Sequence, residues 1–382
     1  MIPKITVGKF LPCLAVSALA LPLLAIATPA EAATGPTASV SMGDSYISGE
    51  AGRWMGNSDT TSGSRSGTDR SWTGSSYNPS KIYGATYASG CDRSDSAEVR
   101  DASGIAQTQI NLACSGAVTA NIFQAADGGQ SFKGEAPQAD QLAAVAAKNN
   151  VKVITLSIGG NDLGFSDVIQ SCVKDYLIWD SYCHDDEQAA IDSQMDTAMA
   201  GVGKSIDEIR AVMSADGYAA GSYRVILQSY PSPIPRSSEM RYPESGWTRE
   251  TTGGCPFWDA DADWARDTMV PEISDRLAAV AADKGAQFLD LRDVFQGREV
   301  CSTSTRLATP SAAPSATTSE WTRFVDAGMT TQGTIQESMH PNYYGQLALG
   351  RCLTLLYAQP TGDYACDNTP GKDSSGMYLT AK

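Results

Sequence analysis

Three scarcities narrow this chain before any motif is read. It has only two histidines, His184 and His340, and no Cys-x-x-Cys pair, so a zinc site has few ligands to draw on and no metal is expected. Basic residues are outnumbered, 28 Lys and Arg against 43 Asp and Glu, giving a formal net charge of −15. Such a chain repels nucleic acid and anionic bilayers at long range, so no nucleic-acid partner is expected. Beyond Ile26 no apolar stretch is long enough to span a membrane. Also missing are the Gly-x-Ser-x-Gly elbow of the α/β-hydrolase fold and any Asn-x-Ser/Thr sequon. Ala198 stands where a phosphate loop ending in Gly203-Lys204-Ser205 would need glycine. Asp259-Ala260-Asp261-Ala262-Asp263 begins like a calcium loop, but Trp264 and Val270 occupy its sixth and twelfth places. An acidic first helical turn is the expectation there.

What is present at the N-terminus is Met1-Ile2-Pro3-Lys4, Lys9, an apolar run from Phe10 to Ile26, and Ala30-Glu31-Ala32. This reads as a secretory signal peptide over 1–32 and makes the protein secreted and extracellular. One domain is expected over 33–382, with long loop insertions at about 49–90, 170–187, 231–258 and 301–335. Of nine cysteines, Cys13 falls in the leader. Cys91, Cys114, Cys172, Cys183, Cys255, Cys301, Cys352 and Cys366 remain, an even set that implies four disulfides whose pairing the count leaves open.

Periodicity organises the rest. Ala38–Met42 alternates as a strand, and Val151–Leu156, Tyr223–Leu227 and Gln287–Leu291 read as further strands, the first of these β-branched and apolar like a buried parallel strand. Helical spacing marks a short helix begun after Pro137, Gln188 to Met213, Trp264 to Ala282 and Tyr343 to Tyr357. The stripe Ile191, Met195, Met199, Val202, Ile206, Ile209, Met213 reads as core. Strands alternating with helices imply right-handed crossovers and a three-layer α/β/α fold around a central parallel sheet. Sites in such sheets lie at the carboxyl ends of the strands. Ser45 and Asn161 each follow an expected strand at that end, and Gly116 lies in the segment Asn111-Leu112-Ala113-Cys114-Ser115-Gly116-Ala117, which closes another short strand.

Gly43-Asp44-Ser45 sits on a strand-to-helix turn, where a serine hydroxyl is exposed beside unpaired backbone N–H groups. A serine needs a base. His184, flanked by Cys183 and Asp185, reads as a surface histidine, leaving His340. Gly-Asp-Ser near the start, Gly159-Gly160-Asn161-Asp162 mid-chain and His340-Pro341-Asn342 near the end, in that order, resemble the SGNH/GDSL hydrolase family over nearly the whole mature chain. The resemblance implies a flavodoxin-like α/β/α fold and a secreted serine esterase or lipase without a cofactor. It implies Ser45 as nucleophile and His340 as base. Glu337, three residues before the histidine where the family commonly has aspartate, would orient it; a backbone carbonyl is the alternative. The oxyanion would be met by the N–H groups of Ser45 and Gly116 and by the Asn161 side chain. The resemblance also favours sequential pairing: Cys91–Cys114, Cys172–Cys183, Cys255–Cys301 and Cys352–Cys366. Tyr46 stands where the family often has leucine. The partner is an ester, of a lipid or an acylated small molecule or polysaccharide, and a monomer is expected. The rival readings are a carbohydrate O-acetyl esterase and a secreted binding protein with a decayed site.

Overall fold

The computed structural model describes residues 35–326 and 332–382, with a few isolated positions before residue 9. The expected leader at 1–32 lies outside the described residues but for those positions. Seven strands form one sheet: β1 (Thr37–Gly43), β2 (Thr108–Asn111), β3 (Asn150–Ser157), β4 (Arg224–Gln228), β5 (Gln287–Asp290), β6 (Tyr364–Asn368) and β7 (Met377–Ala381). Their order is β2-β1-β3-β4-β5-β6-β7, every pairing parallel except β6 with β7. The first five follow the flavodoxin-like order, with the chain reversing direction across the sheet at β1. The fold is therefore the α/β class expected, with a central parallel sheet.

At the centre of the sheet β3 carries apolar side chains on both faces and β1 on one. Val151, Val153, Ile154 and Leu156 of β3 are buried, and so are Val40 and Met42 of β1. The helix His184–Ala215 buries the entire Met-rich stripe from Ile191 to Met213 on one side of the sheet. Tyr343–Tyr357 covers the other side through Leu349, Leu353 and Leu356. Each such side chain contributes about 1.5–3 kcal/mol by leaving water.

Two features depart from the sequence reading. The stretch 170–187, expected as a loop insertion, is helical from Phe165 to Leu177 and again from His184. Val168, Cys172, Val173 and Tyr176 are the buried face of that first helix, and their i, i+4 spacing was there to be read. The chain after Tyr357 forms the antiparallel β6–β7 hairpin, which extends the sheet. The other expected insertions hold only single helical turns: Ser80–Tyr83 and Thr86–Ser89, then Ser237–Glu239, Arg249–Gly253 and Ile335–Glu337. The cysteines pair sequentially, as Cys91–Cys114, Cys172–Cys183, Cys255–Cys301 and Cys352–Cys366. Among the described residues no helix is long and apolar enough to cross a membrane.

Candidate active site

Because β2, β1 and β3 are parallel neighbours, the loops that follow them emerge side by side at one edge of the sheet. The first is the turn Gly43-Asp44-Ser45. Gly43 has φ +138°, and a Cβ there would lie 1.9 Å from the Ser157 carbonyl oxygen, so only glycine lets β1 and β3 close up at this point. Gln138 clamps the same peptide, its side-chain amide donating to the Gly43 oxygen and accepting from the Gly43 nitrogen, both at 2.8 Å. Asp44 caps the helical turn Ser45–Ser48 by accepting from the Tyr46 N–H at 3.1 Å. Its second oxygen accepts from the Tyr230 hydroxyl. Burial raises the Asp44 carboxyl to about 7.

The second and third loops are laced together. Asn161 Nδ2 donates to the Ala117 carbonyl at 2.9 Å, and Asp162 accepts from the Thr119 N–H at 3.0 Å and hydroxyl at 2.6 Å. Gly116 lies between, at φ +85°. Neither Ser45 nor Gly116 offers its N–H to a carbonyl within the described residues. Ser45 is at the first position of its helical turn, where an N–H has no intrahelical acceptor.

His340 arrives from the far end of the chain. Arg323 and the histidine strand hold each other: Met339 N–H donates to the Arg323 oxygen and Arg323 N–H to the His340 oxygen, both at 2.9 Å. Met339 takes a left-handed φ of +63°, an uncommon conformation for a side-chain-bearing residue. The tight bend brings the Ser338 carbonyl to 2.9 Å from His340 Nδ1. A carbonyl only accepts, so Nδ1 carries the proton and Nε2 presents a lone pair. The Ser45 hydroxyl donates to that lone pair, with Oγ 2.6 Å from Nε2. Burial depresses the imidazole to about 4, against a weaker upward pull from the Ser338 and Gln336 carbonyls.

Glu337, expected to orient the imidazole, is not on it. The helical turn Ile335–Glu337 folds its carboxylate back on the Thr334 N–H at 3.0 Å as a capping box, and the Tyr83 hydroxyl donates to the other oxygen at 2.9 Å. The backbone carbonyl alternative describes the contact present. His184, expected at the surface, is half-buried, with Nδ1 2.6 Å from the buried Asp261 carboxylate, and does not line the cavity that holds Ser45.

Two side chains take parts that the sequence reading did not assign: Tyr46, noted there only as a departure from the family's leucine, and Tyr230, not noted at all. Tyr46 donates its hydroxyl to the Met339 carbonyl at 3.0 Å and lays its ring 4.9 Å from that of His340, tying the serine turn to the histidine strand. Tyr230 meets Tyr46 edge-on at 5.2 Å and accepts from the Gly160 N–H at 3.0 Å as well as donating to Asp44. Its one available signal was position, two residues past a strand end.

The serine–histidine pair opens on a cavity of about 530 Å³. Phe165, Ile169, Val173 and Leu177 form one wall, and Tyr46, Tyr230, Val325 and Ile335 the other. Ile178 and Ile335 are more than half exposed and carry the apolar lining out to the surface.

Comparison with solved structures finds likenesses of low identity. An extracellular lipase from Streptomyces rimosus is 22% identical, over 85% of this chain and 100% of that one, with a TM-score of 0.45. A phospholipase A1 from Streptomyces albidoflavus is 20% identical, over 84% and 98%, also at 0.45. A carbohydrate acetylesterase from Sinorhizobium meliloti is 13% identical, over 66% and 83%, at 0.29. At such scores these likenesses add nothing to the argument, and comparison with curated proteins yields no match. Residues 42–346, which run from the end of β1 past His340, match a family as a whole: this chain belongs to the GDSL-like lipase/acylhydrolase family.

Proposed function

We propose that the protein is an exported serine esterase that hydrolyses carboxylic esters with an extended apolar acyl chain. Ser45 Oγ attacks the ester carbonyl carbon while His340 Nε2 takes its proton. The carbonyl oxygen becomes an oxyanion, met by the N–H groups of Ser45 and Gly116 and by Asn161 Nδ2. The carbon–oxygen bond to the alcohol then breaks, and the imidazolium returns the proton to the departing alkoxide. Water, deprotonated by the same nitrogen, attacks the acyl-serine; its collapse frees the acid and restores the serine. The two attack steps ask of His340 a neutral ring with a bare Nε2, which the Ser338 carbonyl selects by holding the proton on Nδ1.

The observation that carries the reading is the 2.6 Å contact of Ser45 Oγ with His340 Nε2 at the mouth of an apolar cavity. An acetyl group would leave most of that cavity unfilled, which weighs against the carbohydrate O-acetyl esterase. The four cystines support export to an oxidising compartment. The test is covalent labelling: a fluorophosphonate modifies Ser45, and Ser45→Ala abolishes both labelling and p-nitrophenyl ester hydrolysis. A label found on another residue, or full activity in the variant, would overturn the mechanism.

A further inference from the structure

A second cavity, of about 420 Å³, adjoins the first and shares Gln336 with it. Its character is opposite. Glu50, Asp92 and Glu337 line it, with Tyr83, Tyr87 and Lys133. It also borders the Gly116 loop, because Lys133 Nζ donates to the Ser115 carbonyl at 2.7 Å.

This basin is built and incompletely satisfied. Glu50 is 1% exposed, and its Oε2 has no hydrogen-bond partner. Asp92 Oδ1 is likewise buried and unpartnered. Asp92 holds a left-handed φ of +47° beside the Cys91–Cys114 bridge, which staples it to the strand end that leads to Gly116. Strain of this kind persists only where the surroundings enforce it. The cations nearby do not satisfy these oxygens. Arg53, on the wall, is spent on Asp69 through two bonds of 2.8 and 2.7 Å. Lys133 is bound to the Gly90 and Ser115 carbonyls. Glu50, Asp92 and Glu337 thus face one ammonium, and the first two resist ionisation. Burial, then the Asp92 charge, pushes Glu50 well above the usual range, and burial raises Asp92 to about 6. Buried Tyr83 and exposed Tyr87 stack with ring centroids 6.2 Å apart.

Buried carboxyl oxygens without partners, which a cation would ionise and pair, together with two aromatic rings in the same basin, suit a positive guest. The geometry points to this basin as the seat of the ester's alcohol portion, and to an amino-alcohol with an ammonium or quaternary ammonium head as the class it takes. The inference rests on the esterase reading above. With the acyl chain in the apolar cavity, the alcohol leaves toward the polar one.

The experiment compares two hexanoyl esters, that of choline and that of its uncharged isostere in which tert-butyl replaces trimethylammonium. The expected result is a kcat/KM about tenfold or more in favour of the choline ester. Asp92→Asn, whose side chain tolerates the left-handed backbone, removes that preference, bringing the choline-to-isostere ratio of kcat/KM to about one. Parental fluorophosphonate labelling of Asp92→Asn shows that the serine–histidine pair is intact. The inference is overturned if the uncharged or a glyceryl ester is turned over as fast as the choline ester. It is overturned too if the preference survives both Asp92→Asn and Glu50→Gln. Failure to hydrolyse any ester would instead sink the esterase reading.

Discussion

His340 is held by a carbonyl where a carboxylate was expected, and the difference has consequences. A carbonyl fixes the tautomer but supplies no full negative charge to stabilise the imidazolium, so burial dominates and the ring titrates near 4 rather than at its ordinary 6.5. The acid limb of kcat/KM should therefore fall with a midpoint near pH 4, and hydrolysis should persist at about pH 5.5. An inflection at about pH 6.5 would contradict the burial argument. The same geometry predicts that Glu337→Gln keeps kcat within about tenfold of the parent, whereas removal of a true triad carboxylate costs on the order of 10⁴. Loss on that larger scale, with Ser45 labelling unchanged, would restore Glu337 to the imidazole.

At the scale of elements, the helix Phe165–Leu177 walls the apolar cavity proposed for the acyl chain. Phe165, Ile169, Val173 and Leu177 recur at helical spacing and face the site. The Cys172–Cys183 bridge ties this helix to the head of His184–Ala215, so the wall is anchored at both the core and the disulfide. Each methylene buried there contributes about 0.8 kcal/mol, a factor of about four. Across p-nitrophenyl esters of increasing acyl length, kcat/KM should climb steeply and then level off when the cavity is full. Ile169→Trp should cut the rate on long chains and spare the acetyl ester. A flat series, or a maximum at acetyl, would remove the acyl assignment.

For the whole molecule, buried carboxyls tie stability to pH. Burial raises Asp44, Asp101 and Glu299 to about 7 and Glu98 to about 8. The folded chain thus holds protons that the unfolded chain releases near pH 4, so stability is full below that range and is lost as pH rises through 7 to 8. His340 acts with the opposite sign, favouring the fold less as pH drops from 6.5 toward 4. The urea midpoint at about pH 6 should exceed that at about pH 9. Equal midpoints would mean that these groups are ionised within the fold.

The amino-acid sequence by itself determined the main parallel strands, the core stripe of the long helix and the identity of the residues at the strand ends. Those follow from local period and from glycine, proline and apolar placement, which act over a few residues. It also carried the serine, histidine and asparagine motifs, because each lies within a short segment whose residue types are chemically restrictive. The partner of His340 Nδ1 was beyond it. Whether Glu337 or the Ser338 carbonyl reaches the ring depends on the left-handed turn at Met339 and on Tyr83 arriving from more than two hundred residues away to take the carboxylate. The two cavities were likewise decided only in three dimensions. Each is walled by segments distant in the chain, and a void has no sequence period of its own.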